Sequence, residues 1–249
     1  MTILKAVHVT EYLMQLERIL HSQGFGARKL CRILVRTNRV TVNGLPCDDP
    51  FADFPTDGLH FSVDGETWPY QPQVYLMLHK PAGCECATRP THHPGVLSLL
   101  PAPIRERGVQ SIGRLDEDTT GLLLFSDDGQ FIHRMSSPKW KVPKIYQATT
   151  KHAVDQRQID LLLQGVLLND ETEPIAALSC SALSEHVLQL TLGEGKYHQV
   201  KRMVAAAGNR VEALKRTAIG NLLLPDDLAP GQWRWLDAAA REQLLPAAD

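Results

Sequence analysis

The chain of 249 residues has little that would place it in a membrane or an oxidising compartment. No stretch reaches the roughly 18 uninterrupted apolar residues that a spanning helix needs. Its start, Met1 to Val9, carries Lys5 but lacks the apolar core of a signal peptide. We therefore expect a folded cytoplasmic protein with no membrane partner, since its 43% hydrophobic content is enough for a core.

Cysteine is also scarce. The five cysteines are odd in number and scattered: Cys31, Cys47, Cys84, Cys86 and Cys180. Such a set favours reduced thiols over a disulfide framework. Cys84 and Cys86 with His92 and His93 contain ligand types of a metal site, but a single C-x-C pair is a weak signal. We predict ordinary thiols and no bound metal.

The chain has no overall basic charge, because its formal net charge is −2. The distribution is uneven, however: Lys and Arg exceed Asp and Glu in residues 11–46, 139–151 and 194–216, and the remainder is acidic. One such segment alone is more often a solvated face. Three of them, each beside a motif described below, favour a polyanionic partner such as a nucleic acid.

Residues 14–62 have the pattern of a compact basic module. Apolar residues at helical spacing, Leu16, Ile19 and Leu20, predict a first helix that ends at the glycines of residues 24–26. Residues 39–44 alternate like a strand and end in Asn43-Gly44, a dipeptide favoured in tight hairpin turns.

A second helix in this module has two different faces. The predicted apolar stripe consists of Leu30, Ile33 and Leu34. Arginine recurs every four residues on another face, at Arg28, Arg32 and Arg36. Such a guanidinium stripe suits phosphate contacts, although taken alone it is equally consistent with a helix made soluble by arginines.

Residues 63–73, with one glycine and two prolines, are predicted to be a linker. Residues 74–249 follow as a second domain, in which short apolar runs alternate with two or three helices. This mixture predicts an α+β fold with a largely antiparallel mixed sheet.

The most informative segment of this domain is residues 113–129. An acidic loop containing Asp116 leads into an apolar strand and then into an Asp-Asp-Gly turn. Asp127 or Asp128 is expected to cap a helix that follows. A carboxylate on a loop braced by a buried strand suits catalysis, but an isolated aspartate there is more often a turn or cap residue.

Two further segments accompany this loop. Residues 78–83, Leu-His-Lys-Pro-Ala-Gly, predict a strand running into a turn. Residues 194–203 predict a helix that starts after a glycine, with Gly208 as its C-terminal cap. Its core-facing positions are Val200, Met203, Val204 and Ala207.

Together these three segments resemble the RsuA-type family of ribosomal RNA pseudouridine synthases. The block G-R-L-D-x-x-T-x-G-L-L-L at residues 113–124 is a long and specific match. Residues 197–203, Y-H-Q-V-K-R-M, are most similar to members that act on small-subunit 16S rRNA. Residues 14–62 resemble the S-four-like RNA-binding domain, with Ala27 in place of its usual serine, and residues 1–13 are then an N-terminal extension.

The resemblance implies a set of site residues. Asp116 is the expected catalytic aspartate, Tyr146 of a K-x-Y pattern lies under the flipped base, and Lys201 pairs with the aspartate. Many relatives have Arg at the last position, and commonly Asn where this chain has His79. The residues implied to bind substrate or support the site are Arg114, Thr119, Thr120, Lys80, Lys144, His198, Gln199, Arg202, Arg28, Arg32 and Arg36.

The implied reaction needs no cofactor. The N1–C1′ bond of a uridine breaks, the uracil turns, and a C5–C1′ bond forms. Asp116 either attacks the nucleotide or stabilises the sugar, and the sequence is consistent with both routes. The implied partner is ribosomal RNA, within a small-subunit assembly intermediate, and the implied state is a monomer.

Three alternatives remain. One is a large-subunit rRNA synthase of the same family. Another is an N-glycosidase that uses Asp116 with Glu194 and releases free uracil. The last is a non-catalytic rRNA-binding assembly factor, which would not need the complete aspartate block.

Overall fold

A computed structural model describes residues 12–244. The described residues up to Gln73 form one compact unit together with Pro101–Val109, and the second unit comprises Val74–Leu100 and the described residues from Gln110 onward. The predicted residues 1–11 of the N-terminal extension lie outside the described residues. The second domain was expected to be continuous from residue 74, so the assignment of Pro101–Val109 to the first unit differs from that prediction.

The first unit contains short helices and small sheets. Its elements are β1 (Leu13–Gln15), α1 (Leu16–Ser22), α2 (Arg28–Arg36), β2 (Val40–Val42), β3 (Leu45–Pro46), β4 (Asp53–Pro55), β5 (His60–Val63), β6 (Glu66–Pro69) and α3 (Ala102–Glu106). In the described part of the chain β1 pairs with β4, and the other four strands form a sheet in the order β3-β2-β5-β6. Arg107, just after α3, connects Pro101–Val109 to the rest of the first unit. Its Nη1 donates to Gln23 Oε1 at 2.9 Å and to the Gln71 carbonyl at 2.8 Å.

Both predicted helices of this unit form, but the apolar face of the second is not the predicted one. The face of α1 with Leu16, Ile19 and Leu20 is fully buried, as expected. In α2, Leu30 and Ile33 are each 46% exposed. The buried face consists of Cys31, Leu34 and Val35. The prediction is therefore confirmed for Leu34 and wrong for Leu30 and Ile33, because it followed the larger side chains and overlooked Cys31, a residue type that is commonly buried.

Two hairpins in this unit use left-handed two-residue turns. Asn43 and Gly44, at φ +48° and +82°, connect β2 to β3 as the Asn-Gly signal predicts. Asp64 and Gly65, at φ +53° and +84°, connect β5 to β6 in the same way. Because β6 lies inside residues 63–73, that segment is not a simple linker.

The second unit is built on one large sheet. Its elements are β7 (Tyr75–Lys80), β8 (Gln110–Ile112), β9 (Thr120–Ser126), α4 (Gly129–Ser136), β10 (Lys144–Thr150), α5 (Gln156–Gln164), β11 (Ser179–Ser184), β12 (Val187–Leu192), α6 (Gln199–Ala206), β13 (Val211–Ile219), β14 (Leu222–Leu223), β15 (Trp233–Trp235) and α7 (Ala238–Glu242). The strand order is β11-β12-β10-β13-β9-β7-β15, with β14 beside β13 and β8 beside β9. Among the described strands only β9 and β13 pair in parallel, so the predicted α+β fold with a largely antiparallel mixed sheet is confirmed.

Strand β9 lies in the middle of this sheet and is buried on both faces. Its apolar run from Leu122 to Phe125 is inaccessible to solvent, and Leu122 and Leu124 belong to a core that also includes residues of β7, α4 and β13. The helix α4 begins where the Asp-Asp-Gly turn predicts, since the Asp128 carboxylate accepts hydrogen bonds from the N–H groups of Gln130 and Phe131. The loop before β9 is thus attached to a rigid strand.

No helix in residues 12–244 has the length and apolar character required to cross a membrane.

Candidate active site

Asp116 lies on the loop between β8 and β9. The loop leaves β8 through Gly113, whose φ of +72° favours glycine, and the buried Leu115 fixes it against the core. The N–H of Thr119 donates to the Asp116 carbonyl at 3.1 Å and closes a tight turn. The Asp116 carboxylate itself remains 27% exposed. The local structure therefore holds the accessible Asp116 carboxylate on a fixed backbone.

Lys80 holds this loop in place through hydrogen bonds from its side-chain ammonium group. It is fully buried at the end of β7, and its ammonium donates three hydrogen bonds to carbonyl oxygens, at 3.0 Å to Pro81, 3.0 Å to Glu117 and 2.9 Å to Thr119. These bonds use all three donors of the ammonium group. The family resemblance implied that Lys80 contacts the substrate. That expectation is wrong, because Lys80 binds the backbone on both sides of Asp118 and does not reach solvent.

Two basic side chains flank the Asp116 carboxylate. His198 Nε2 lies 3.5 Å from one carboxylate oxygen and Lys201 Nζ lies 3.3 Å from the other. His198 is the N-cap of α6 and has a left-handed backbone at φ +48°, a conformation that non-glycine residues rarely adopt. Lys201 lies in the first turn of the same helix, so α6 supplies both partners, and the implied pairing of Lys201 with Asp116 has suitable geometry.

Asp118 is a second acceptor for Lys201. The distances from Lys201 Nζ to the two Asp118 oxygens are 2.6 and 2.9 Å, shorter than the distance to Asp116. Although partial burial acts to lower it, the bonds to Asp118 and Asp116 raise the pKa of Lys201. The same ammonium lowers the pKa of Asp118 against the opposite effect of burial. Lys201 is therefore a positive charge that Asp118 and Asp116 share.

A pocket beside Asp116 contains the implied base-stacking residue. Tyr146 on β10 and Asp116 both line this pocket, together with Arg114, Thr119 and His198. Tyr146 is almost completely buried in the sheet, where it pairs in register with residues of β12 and β13. The ring consequently forms a fixed wall of the pocket.

Thr119 and Thr120 occupy supporting positions. The Thr119 side chain is buried, and its hydroxyl lies 3.4 Å from Asp118 Oδ1. The Thr120 hydroxyl donates to the Leu214 carbonyl at 3.4 Å and so links β9 to β13. Arg114 is exposed at the pocket rim, where an RNA phosphate can reach it.

Gln199 and Arg202 were expected to contact the substrate, but in the structure both bind other groups of the protein. The buried Gln199 amide accepts from the Lys196 N–H at 2.8 Å and donates to Glu194 Oε1 at 3.2 Å, so it closes the loop before α6. Arg202 forms an ion pair with Asp170 and donates to the Tyr197 carbonyl at 3.2 Å. Gln199 lines the Asp116 pocket, and both side chains are already engaged within the protein.

The three arginines of α2, in the first unit, differ in their surroundings. Arg32 forms an ion pair with the nearly buried Glu17 and stacks over the Phe51 ring at 5.3 Å. The bonded Arg32 guanidinium lowers the pKa of the Glu17 carboxyl. Arg28 and Arg36 are exposed. The stripe therefore has two solvent-facing cations and one that is bound to its own unit.

His79 and the cysteine-histidine segment are structural features in this fold. His79 is buried and its Nδ1 lies 2.7 Å from the Leu228 carbonyl. Glu85 Oε1 accepts the N–H groups of His92 and His93, each at 2.9 Å. Within residues 12–244 no three His, Cys, Asp or Glu side chains are grouped in a way that could hold a metal ion.

Sequence reasoning missed two residues near Asp116. Asp118 follows Asp116 by two positions, and the signal for it was the acidic run that the loop already contained. Arg216 on β13 is 2% exposed, and its Nε donates to the Leu122 carbonyl at 2.8 Å. An arginine in a strand of mixed composition gives no local sign of burial, so only the sheet register, which pairs Arg216 with Tyr146, reveals it.

This arrangement offers a partly exposed carboxylate between a lysine and a histidine, in a pocket that an aromatic ring also lines. Such a group can act as a nucleophile or stabilise a developing positive charge. Glu194 lines the same pocket and accepts a hydrogen bond from Gln199.

Several known proteins resemble this chain in sequence or structure. The sequence pattern of the family described as RNA pseudouridylate synthase matches residues 74–206. The chain is 39% identical over 225 residues to the ribosomal small subunit pseudouridine synthase A of Yersinia pestis, covering 89% of this chain and 94% of that protein. It is 38% identical over 227 residues to the uncharacterized RNA pseudouridine synthase YtzG of Bacillus subtilis, covering 90% and 95%.

A crystal structure of a pseudouridylate synthase also matches, with a TM-score of 0.66 and 32% identity over 93% of this chain and 100% of that one. The family pattern covers the Asp116 loop, β10 and α6, and the relatives extend over nearly the whole chain. The chain therefore belongs to the RNA pseudouridylate synthases of the RsuA type, enzymes that convert uridine in RNA to pseudouridine.

Proposed function

We propose that this enzyme converts one uridine of small-subunit 16S rRNA to pseudouridine, with Asp116 as the catalytic carboxylate. The observation that carries the proposal is that Asp116, Tyr146 and His198, from three separate segments, line one pocket, with Lys201 3.3 Å from the carboxylate. Relatives named as small-subunit synthases, at 36–39% identity, support the choice of RNA.

The Lys201 ammonium, 3.3 Å from the Asp116 carboxylate, stabilises a negative charge on that group when RNA excludes water. A carboxylate in that state either attacks the nucleotide or stabilises the sugar while the N1–C1′ bond breaks. Both routes use the same ground-state geometry. Lys201, held by Asp118 as well, supplies a fixed positive charge without leaving its place in α6.

The target uridine has to leave its stack to reach this pocket. Unstacking costs about a few kcal/mol, and stacking of a base on an aromatic ring contributes roughly 1–3 kcal/mol. Tyr146 provides such a ring at the pocket wall, and its rigidity in the sheet limits the entropy lost on binding. The proposed role of Tyr146 is therefore to receive the flipped base.

A division of labour between domains is part of the proposal. Residues 14–62 act as an S-four-like RNA-binding domain through Arg28 and Arg36, and residues from 74 onward carry the chemistry. The strand β6 extends the first of these beyond residue 63. We further propose that the enzyme works as a monomer in the cytoplasm on a small-subunit assembly intermediate.

The direct test is pseudouridine mapping of rRNA from cells that lack this protein, complemented with the wild type or with Asp116→Asn. We expect one 16S position to lose pseudouridine and only the wild type to restore it. In purified form Asp116→Asn should reduce the single-turnover rate by about 10³-fold or more, with RNA affinity nearly unchanged because the side chain keeps its size. Restoration of the modification by Asp116→Asn would remove Asp116 from the catalytic role.

Other results of the mapping, of an assay for free uracil and of an rRNA-binding measurement would favour the alternatives. Loss of a site in 23S rRNA alone would identify a large-subunit synthase. Release of free uracil would indicate a hydrolase. Unchanged pseudouridine at every site, together with tight rRNA binding, would indicate an assembly factor.

A further inference from the structure

A second pocket adjoins the one that contains Asp116. The two share Arg114, Tyr146 and Gly195, so Tyr146 contributes to both. The second pocket has a volume of about 130 Å³ and lies in the same unit. Nothing in the role proposed for Asp116 uses it.

Arg216 presents an unpartnered donor in this pocket. The side chain is 2% exposed, and although its Nε donates to the Leu122 carbonyl at 2.8 Å, its Nη2 has no hydrogen-bond partner among residues 12–244. Leaving a buried charged donor unpaired costs stability, about 1–3 kcal/mol or more. Such a group is commonly kept because an acceptor arrives during function.

Two further side chains that line the pocket, Lys144 and Arg114, are also cationic. Lys144 lies on β10 two residues before Tyr146, and its ammonium donates to the Val142 carbonyl at 2.9 Å. Burial and the nearby Arg216 lower the pKa of Lys144 to about 8. With Arg114 at the rim, three cations line the pocket, and no carboxylate lines it among the described residues. The pocket is therefore suited to an anion.

The remaining wall restricts which anion fits. Ile112 and Leu124 belong to the hydrophobic core and form an apolar side of the pocket. A phosphodiester carries charge on a tetrahedral group and binds best where donors surround it. A flat heterocycle with polar edges matches a pocket with one apolar side and one cationic side.

The proposed reaction generates such an anion. When the N1–C1′ bond breaks, its electron pair stays on the base, and the uracil leaves as an anion whose charge is shared with its carbonyl oxygens. The uracil then turns, C5 bonds to C1′, the C5 proton is lost and N1 gains a proton. No atom is added overall, and the detached anion has to be held while it turns.

We propose that this second pocket holds the detached uracil anion, with Arg216 Nη2 and Lys144 Nζ bound to its charged edge. The inference rests on the proposed pseudouridine synthase function. Preorganised donors at the position of developing charge accelerate a reaction because they stabilise the transition state more than the ground state.

The test is the single-turnover rate at saturating RNA for Arg216→Lys, Lys144→Met and Lys144→Arg, with RNA affinity measured separately. We expect Arg216→Lys and Lys144→Met to lower the rate roughly 10² to 10³-fold, with RNA affinity changed less than about twofold. Lys144→Arg keeps the charge and should retain most of the rate. Arg157→Met, which removes an exposed cation on α5, is the control and should match the wild type.

The outcomes separate the possibilities. A loss of RNA affinity with a flatter salt dependence, but an unchanged rate at saturation, would mean that the pocket binds an RNA phosphate and would overturn the proposal. If Arg216→Lys does not fold, Lys144→Met decides, and a wild-type rate for it overturns the proposal as well. A wild-type enzyme that makes no pseudouridine would show instead that the proposed function is wrong.

Discussion

Lys80 is a buried lysine whose ammonium group binds the backbone of the Asp116 loop on both sides of Asp118. Replacing it with Met should leave the carbonyls of Glu117 and Thr119 short of a donor, at a cost of about 1–3 kcal/mol for each group left unpaired. We expect Lys80→Met to lower the free energy of unfolding and to reduce kcat about tenfold to 10²-fold, because the loop loses its position.

RNA affinity separates this role from the one implied by the sequence. Since the Lys80 ammonium is fully buried, RNA affinity and its salt dependence should be close to those of the wild type. A clear fall in affinity, measured by filter binding at several salt concentrations, would restore Lys80 as an RNA contact.

The ammonium of Lys144 should give the reaction a limit on the alkaline side. Its pKa is lowered to about 8, so it is protonated below that pH and becomes neutral as the pH rises through it. The charged groups around it are Arg216 on β13 and Arg114 on the loop, with Tyr146 beside it on β10. If the positive charge is needed, the single-turnover rate should decline above about pH 8.

Lys144→Arg provides the comparison for this pH effect. Arginine stays charged throughout the range, so its profile should continue flat to higher pH. Identical profiles for the wild type and Lys144→Arg would assign the decline to another group.

At the scale of single residues, the sequence predicts which residue types form the site better than it predicts which groups each side chain binds. The likeness to a known family pointed to Asp116, Tyr146 and Lys201, and the fold brings them together. Whether a basic side chain meets RNA or its own backbone depends on burial, which residue identity does not determine. Three residues that were expected to contact substrate bind partners within the protein instead. Arg202 pairs with Asp170, Lys80 binds backbone carbonyls, and Gln199 accepts from the Lys196 N–H.

Gly121 allows β9 to lie beside β13. Its φ is +111°, and a Cβ built there would lie 2.2 Å from the carbonyl oxygen of Arg216. These two strands pair in parallel at Gly121 and Arg216. A side chain at this position would push apart the strands that carry the Asp116 loop and Arg216.

Gly121→Ala should therefore reduce the free energy of unfolding by about 2–4 kcal/mol, from backbone strain and overpacking together. Gly129→Ala is a matched control, because it lies in the first turn of α4 with ordinary φ and open space. It should be neutral or slightly stabilising. Urea unfolding curves of the two variants measure the difference, and equal midpoints would show that β9 tolerates a side chain there.

At the scale of elements, local signals predicted ends and turns well. The Asp128 cap, the Asn43-Gly44 turn and the start of α6 all lie where the sequence placed them. The strand β6 was missed because glycine and proline were read as a linker, whereas Asp64-Gly65 is itself a hairpin turn. The burial of Cys31 in α2 depends on tertiary packing, which periodicity does not determine.

At the scale of the whole molecule, the net charge of −2 says little about RNA binding, because the basic residues are segregated. The first unit presents Arg28 and Arg36 to solvent on one helix. Because β6 and Pro101–Val109 belong to this unit, deletion of residues 1–62 would break its sheet, and point variants are the better test.

The double variant Arg28→Gln with Arg36→Gln should bind 16S rRNA fragments more weakly. The slope of log affinity against log salt should become shallower by about 1.4, because each phosphate of single-stranded RNA that the protein no longer neutralises removes roughly 0.7 from the slope. The single-turnover rate at saturating RNA should stay unchanged. Arg157→Gln serves as the control, and an unaltered slope in the double variant would show that α2 does not bind phosphates.

The chain leaves the first unit after Gln73, returns to it at Pro101 and leaves again after Val109. Arg107, in the returning piece, is bonded to Gln23 and Gln71. Genetic recombination and simple cut-and-paste engineering both move continuous stretches of sequence. A transplant that ends at Gln73 would arrive without α3, so moving this unit intact into another enzyme requires two grafts.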